Sequence, residues 1–209
     1  MRSEKRLTRE EKKARTRERL IEAAARAFAR GGFAATSLDE VAEEAGLTKG
    51  AVYSNFASKE DLVRALLEER LQTRLYGIPD TVPREGGTIE EDAARASEQM
   101  GAVFSQERDA FLLAIEFAVY AVRNADFRDD FTAHHREAIQ DMTRVIEERL
   151  GTEFDVHVPM EELASVFNAV GNGVALERLM NPGSLSDELF GHVLAALVEA
   201  FTTRKEGVD

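Results

Sequence analysis

The chain is 209 residues long, with a formal net charge of -12, 44% hydrophobic residues and no cysteine. These values predict a folded, soluble, cytoplasmic protein able to bury a sizeable core, and the lack of thiols excludes disulfides, thiolate metal sites and cysteine nucleophiles. No apolar h-region follows the charged N-terminus, and the longest apolar run, FLLAIEFAVYAV, is interrupted by Glu116 and falls short of the roughly 20 residues that a bilayer span requires.

The first predicted element is a helix over about 8–30, free of Gly and Pro, with Leu20, Ile21, Ala24, Ala27 and Phe28 at helical spacing. GGF at 31–33 ends it. Ser37 with Glu40 forms a capping box, and Leu38, Val41, Ala42 and Ala45 then give the buried stripe of a short helix that stops at Gly46. Thr48 caps a third helix, Lys49 to Phe56, and Ser58 with Asp61 opens a connecting helix over 58–76. YGIPDTVPREGGT, at 76–88, holds two of the four prolines and three glycines and reads as a loop. Thr88 with Glu91 starts the next helix by the same capping logic. AFLLAIEFAVYAVRN is apolar nearly all round, so it is predicted to be interior, and FRDDFTAHHREAIQDMTRVIEERL is amphipathic and ended by Gly151. Pro159–Met180 and Leu185 to about Thr203, split by NPGS, are the last pair. The predicted fold class is all-α, with about nine helices and no strand. The chain divides into a basic arm over 1–14, a three-helix unit over 15–60 and a helical domain over 61–209.

Charge is unevenly spread. Through Lys59 there are thirteen basic residues against nine acids, a balance of +4, which leaves -16 for the remainder. The asymmetry directs the N-terminal part toward an anionic partner, with a merely solvated arm as the alternative. The stretch SLDEVAEEAGLTKGAVYSNFASKEDL meets the demands of a helix-turn-helix. Gly46 permits a left-handed turn, Val41 and Ala45 are small enough for close packing, and Leu47, Val52 and Phe56 pin the third helix inward. Lys49, Gly50, Ala51, Tyr53, Ser54 and Asn55 then point largely outward. Lys49 suits phosphate or guanine, Asn55 adenine, Tyr53 phosphate and Ala51 a thymine methyl, while Gly50 allows close backbone approach. Thr48 and Lys59 sit at helix N-termini, where free N–H groups favour phosphate oxygens, and Lys59 is expected to position rather than specify. Thr36 and Ser37 complete the candidate DNA-binding set. The alternative is an ordinary helical subdomain with no nucleic-acid role.

GLTKGAVYSNFASKEDL, together with AAARAFARGGFAATSLDEVAEEA, resembles the DNA-binding domain of the tetracycline-repressor (TetR-like) family of bacterial transcription regulators, over about 17–67. Phe28, Gly32, Phe33, Thr36, Val41, Ala42, Ala45, Gly46, Lys49, Gly50, Tyr53, Phe56, Ser58, Lys59 and Leu62 carry the resemblance. The chain departs from the family pattern at Ser54, Asn55 and Ala57. The resemblance implies a homodimer on double-stranded palindromic operator DNA, released when a small molecule fills a pocket in the helical C-terminal domain. The last two helices would form the dimer interface, or else simply intramolecular core. A dimeric DNA-binding protein whose helical half binds a protein partner, without an effector, is the rival reading.

If a pocket exists, Phe111, Ile115, Val119 and Tyr120 are expected on its wall, and Glu116, His134 and Asn172 among its polar contacts, with a largely apolar effector. Glu116 needs a partner if buried: Arg123, Arg144 or Arg178, or a polar group of the ligand; otherwise it faces water. No metal-ligand spacing joins His134, His135, His157 and His192, and GNGVAL at 171–176 lacks the third glycine of a dinucleotide motif. No cofactor, metal or catalytic set is read from the sequence, so the chain is not read as an enzyme.

Overall fold

The computed structural model describes residues 8–68, 88–151 and 153–205. The arm before Thr8, the connecting helix beyond Glu68 and the predicted loop up to Gly87 lie outside those residues. Helix α1 spans Arg9–Gly31, opened by a capping box in which the Thr8 hydroxyl accepts from the Glu11 N–H and the Glu11 carboxylate accepts from the Thr8 N–H at 2.6 Å. Then come α2 (Leu38–Glu44), α3 (Lys49–Tyr53), α4 (Lys59–Leu66), α5 (Ile89–Gln106), α6 (Arg108–Arg123), α7 (Ala125–Leu150), α8 (Met160–Met180) and α9 (Asp187–Phe201). The fold is all-α, with nine helices among the described residues.

Three predicted features are corrected. Helix α3 ends at Tyr53 instead of Phe56, because Ser54 and Asn55 turn their side chains back onto the Ala51 carbonyl, at 3.0 and 2.7 Å, and close the helix early. Two short strands also occur, β1 (Phe154–Val156) and β2 (Thr202–Arg204), antiparallel with Phe154 opposite Arg204 and Val156 opposite Thr202. The chain leaves the helix at Thr202, where φ is -132° and ψ 157°, a conformation β-branched threonine favours. Finally, α6 is not interior all round: Phe111, Leu113, Phe117 and Ala121 are buried, whereas Val119 is 45% and Val122 78% exposed.

The described residues fall into two compact units, 8–68 with 109–134 and 88–108 with 135–205. Helix α6 therefore belongs with the N-terminal helices, and the division differs from the cut expected at residue 60. In the first unit the apolar stripe of α1 (Leu20, Ile21, Ala24, Ala27, Phe28) is buried with Val41, Val52, Phe56, Leu62 and Leu66. Phe28, Phe33 and Phe117 meet edge to face, with ring centroids 5.3 to 6.4 Å apart, an arrangement the ring quadrupoles favour. Tyr120 joins them, 4.8 Å from Phe33 and 5.3 Å from Phe127.

The second unit is built on α5 against α9. Ala93, Phe190, Leu194 and Ala195 form one buried cluster and Leu150, Leu163 and Val198 another. A Cβ on Gly191 would lie 3.1 Å from the Ala94 Cα, so glycine is what lets the two backbones approach. Arg178 closes the α8–α9 turn, with Nη1 2.7 Å from Asp187 and Nε donating to the Leu185 carbonyl at 3.0 Å. The β1–β2 ribbon closes the opposite end: the Lys205 N–H donates to the Glu153 carbonyl and the His157 N–H to that of Phe201, each at 2.9 Å.

Candidate nucleic-acid interface

The α2–α3 turn is built by local rules. Ser37 and Glu40 form the predicted capping box, and Asp39 and Glu40 place negative charge at the positive end of α2. Hydrogen bonds from its own cap hold the Glu40 carboxyl below the ordinary glutamate range. The C-terminus of α2 is a Schellman motif: Gly46 adopts φ 61°, the Leu47 N–H reaches the Ala42 carbonyl and the Gly46 N–H that of Glu43, both at 2.9 Å. Arg19 adds a bond from Nη2 to the Ala45 carbonyl at 2.8 Å. Thr48, whose hydroxyl accepts from the Ala51 N–H, then starts α3. Two short helices are thus set at a fixed angle, with Val52 and Phe56 buried beneath them.

Ser37, Thr48, Lys49, Gly50, Tyr53 and Ser54 are presented at the surface, with Tyr53 57% exposed and Ala51 half-buried. Lys49 donates from Nζ to Asp39 at 2.5 Å, which raises its pKa and ties α3 to α2. That acidic neighbour is a feature the sequence reading missed.

Three candidate residues are engaged otherwise than expected. Thr36 is buried, its hydroxyl donating to the carbonyls of Gly32 and Ala27. Asn55 is half-buried and spends its amide N–H on the Ala51 carbonyl instead of facing outward. Lys59, expected on phosphate, directs all three N–H donors at main-chain carbonyls, those of Phe33 at 2.8 Å, Thr36 at 3.0 Å and Ala34 at 3.2 Å. The ammonium also lies 4.4 Å from the Phe33 ring centroid, and burial lowers its pKa. The physical reason is geometric: the 33–36 turn points its carbonyls at the N-terminus of α4, where Lys59 is the nearest cation.

Other basic residues in the N-terminal charge excess are also internal ties. Arg26 and Arg30 both grip Glu44 and hold its carboxyl below the usual range. Arg9, Lys12, Lys13 and Arg15 on the first turns of α1 are exposed as well.

Seven residues are expected around an effector. Phe111 is buried and Ile115 half-buried, while Val119 and Glu116 are exposed on α6. Glu116 accepts the Phe33 N–H at 2.5 Å, so its partner in this structure is the α1–α2 turn. Tyr120 donates its hydroxyl to Glu60 at 2.9 Å. Burial and this acceptor raise the phenol pKa. Burial pulls the Glu60 carboxyl up, but hydrogen bonds from its own N–H, Tyr120 and Ser58 outweigh that and leave it lowered. His134 sits with Nδ1 2.9 Å from the Asp130 carbonyl and Nε2 4.0 Å from Glu68. Asn172 is half-buried on α8 in the second unit, whereas the other six belong to the first.

With this geometry in place, similarity to known proteins can be read. Residues 20–66 match the sequence model of the family described as "Bacterial regulatory proteins, tetR family". The HTH-type transcriptional regulator TtgR of Pseudomonas putida is 31% identical over 190 residues, covering 90% of this chain and 79% of TtgR. Among solved structures, Salmonella enterica GusR superposes with a TM-score of 0.70 at 22% identity, over 88% of this chain and 96% of that one. The multidrug binding protein EbrR, complexed with proflavin, superposes with 0.61 at 24% identity, over 88% and 99%. Matched in its helix-turn-helix and, through TtgR, across most of its length, the chain belongs to the tetR family of bacterial regulatory proteins and is a DNA-binding transcriptional regulator.

Proposed function

We propose that the protein is a dimeric, small-molecule-responsive repressor that binds a palindromic operator through α2 and α3. The observation that carries this reading is the fixed α2–α3 turn with Lys49, Gly50, Tyr53 and Ser54 on its outer side. A short helix of this kind enters the major groove, where a tyrosine hydroxyl and an ammonium reach phosphate or base edges. Lys49 exchanges Asp39 for DNA on binding. Support for dimerisation comes from α8 and α9, which leave Val166, Leu176, Met180, Leu189 and Val193 exposed, each between 38% and 68%. Apolar side chains on two adjacent helices suit a two-fold four-helix contact, and a two-fold dimer places its recognition helices on half-sites about one DNA turn apart. Responsiveness to a small molecule is supported by EbrR, a structural relative that holds proflavin. The effector would act by favouring the conformation whose recognition helices are wrongly spaced, since equal affinity for both states shifts nothing.

The test is selection of DNA from a random duplex library, followed by gel-shift titration of the enriched sequence at several salt concentrations, with and without proflavin. The reading expects an enriched palindrome, a two-protomer stoichiometry and loss of affinity in Tyr53→Ala. Enrichment of a non-palindromic site bound by one protomer would overturn the dimer. Unchanged binding with proflavin and a panel of apolar compounds would overturn effector control.

A further inference from the structure

We propose that Glu116 is a positioning residue for DNA binding, a carboxylate outside the helix-turn-helix that holds the α1–α2 turn, and through it α2, in the DNA-competent arrangement. This rests on the operator-binding reading above. The turn between α1 and α2 is gripped from two sides by opposite charges. On the N–H side, Oε2 of Glu116 accepts from Phe33 at 2.5 Å. On the carbonyl side, Lys59 takes the oxygens of Phe33, Ala34 and Thr36. Gly32 sets the turn at this point: its φ is 77°, and a Cβ there would make only ordinary contacts of 3.5 Å with both carboxylate oxygens. A side chain would nevertheless strain the backbone at that φ.

The grip reaches α2 over a very short path. Thr36 returns its hydroxyl to the Gly32 carbonyl at 2.9 Å, and the next residue, Ser37, is the N-cap of α2. A shift at Phe33 therefore moves the start of α2, and α2 carries Asp39, the partner of Lys49 on α3. Phe117, the next residue of α6 after Glu116, wedges its ring against Phe28 and Phe33, so helix and turn are also joined by packing. The contact spans 83 residues of sequence.

Charge alone predicts the opposite sign, which makes the proposal testable. Among the described residues no cation pairs with Glu116, and an anion on a DNA-binding unit repels phosphate, so its removal should tighten binding. Positioning reverses that expectation for any variant that also loses the acceptor. Glu116→Gln keeps an oxygen acceptor for the Phe33 N–H, Glu116→Ala loses it, and Glu116→Asp keeps the charge but is one methylene too short. The dissociation constants of all four proteins would be measured on the duplex enriched by the wild-type protein, at two salt concentrations and below each variant's melting temperature. The glutamine variant should bind at least as tightly as wild type. The alanine and aspartate variants should each bind about tenfold more weakly, the equivalent of one charge-assisted hydrogen bond. The salt slope should stay unchanged throughout, because no phosphate contact is lost. Alanine binding as tightly as glutamine would overturn the proposal. A wild-type protein that enriches no sequence would overturn the operator-binding reading on which it rests.

Discussion

Lys59→Met separates two accounts of one lysine. Methionine keeps an unbranched stem that can lie along the Phe33 ring but removes the ammonium and its three donors. The bonds to the Phe33 and Thr36 carbonyls are part-buried and the one to Ala34 is exposed. The exposed carbonyl recovers a water, so its loss costs little. Each part-buried, charge-assisted bond contributes about 1 kcal/mol once partial solvation is allowed for, so the substitution should destabilise by about 2 kcal/mol. For a chain of this size that lowers the melting temperature by about 4 to 8 °C. Thermal unfolding followed by far-UV circular dichroism measures this, and DNA titration at several salt concentrations measures the rest: affinity drops, but the salt slope holds because no phosphate contact disappears. A variant that melts with wild type and whose salt slope falls by about one unit would refute the carbonyl cage and restore Lys59 as a phosphate ligand.

Phe117→Ala should destabilise by about 3 to 5 kcal/mol, because the fully buried ring packs edge to face against both Phe28 and Phe33; a loss below about 1 kcal/mol in urea titration would show that α6 is not part of the N-terminal core. The joint substitution Leu189→Glu with Val193→Glu should convert the proposed dimer to a helical monomer in sedimentation analysis, since each charge would enter the proposed apolar contact; an unchanged mass would remove α9 from the proposed interface. Acid should destabilise the first unit. Glu40, Glu44 and Glu60 all have carboxyls lowered in the folded state, so the stability they contribute is complete above the ordinary glutamate value of 4.5 and is lost as pH falls through their folded values. Melting temperatures should therefore fall between about pH 5 and pH 3, less steeply in Glu40→Gln, and a flat profile would contradict this.

What could be read from sequence was what local chemistry decides. Ser37 with Glu40, Thr48, Ser58 with Asp61 and Thr88 with Glu91 all act within one turn of chain, and each cap was predicted and is observed. The same holds for Gly46, whose left-handed conformation follows from the ending of α2. What could not be read depends on distant partners. Lys59 stands at a helix N-terminus in an otherwise phosphate-like setting, and only the folded 33–36 turn, 23 to 26 residues upstream, reveals its carbonyls. Glu116 looked like a pocket carboxylate because its neighbours are apolar, and the N–H it accepts lies on another helix's end. The strands were illegible because three residues are too few for an alternation signal and their partners lie about fifty residues apart. Of the helix glycines at 171 and 173, Gly171 faces only the movable end of Met100, whose methyl would lie 2.5 Å from a Cβ, and Gly173 meets nothing within 4 Å, so close backbone approach explains neither.

The ribbon of β1 and β2 alters what a break in the chain would do. It ties the segment after α9 to the segment before α8, while Arg178 and Asp187 tie the two helices at their other end. Helices α8 and α9 therefore form a closed frame joined at both ends, and the exposed 181–184 turn is only one of its two closures. A protease cutting that turn would leave α9 attached by the ribbon and by its packing on α5. The two fragments should then co-elute under native conditions and separate only in denaturant.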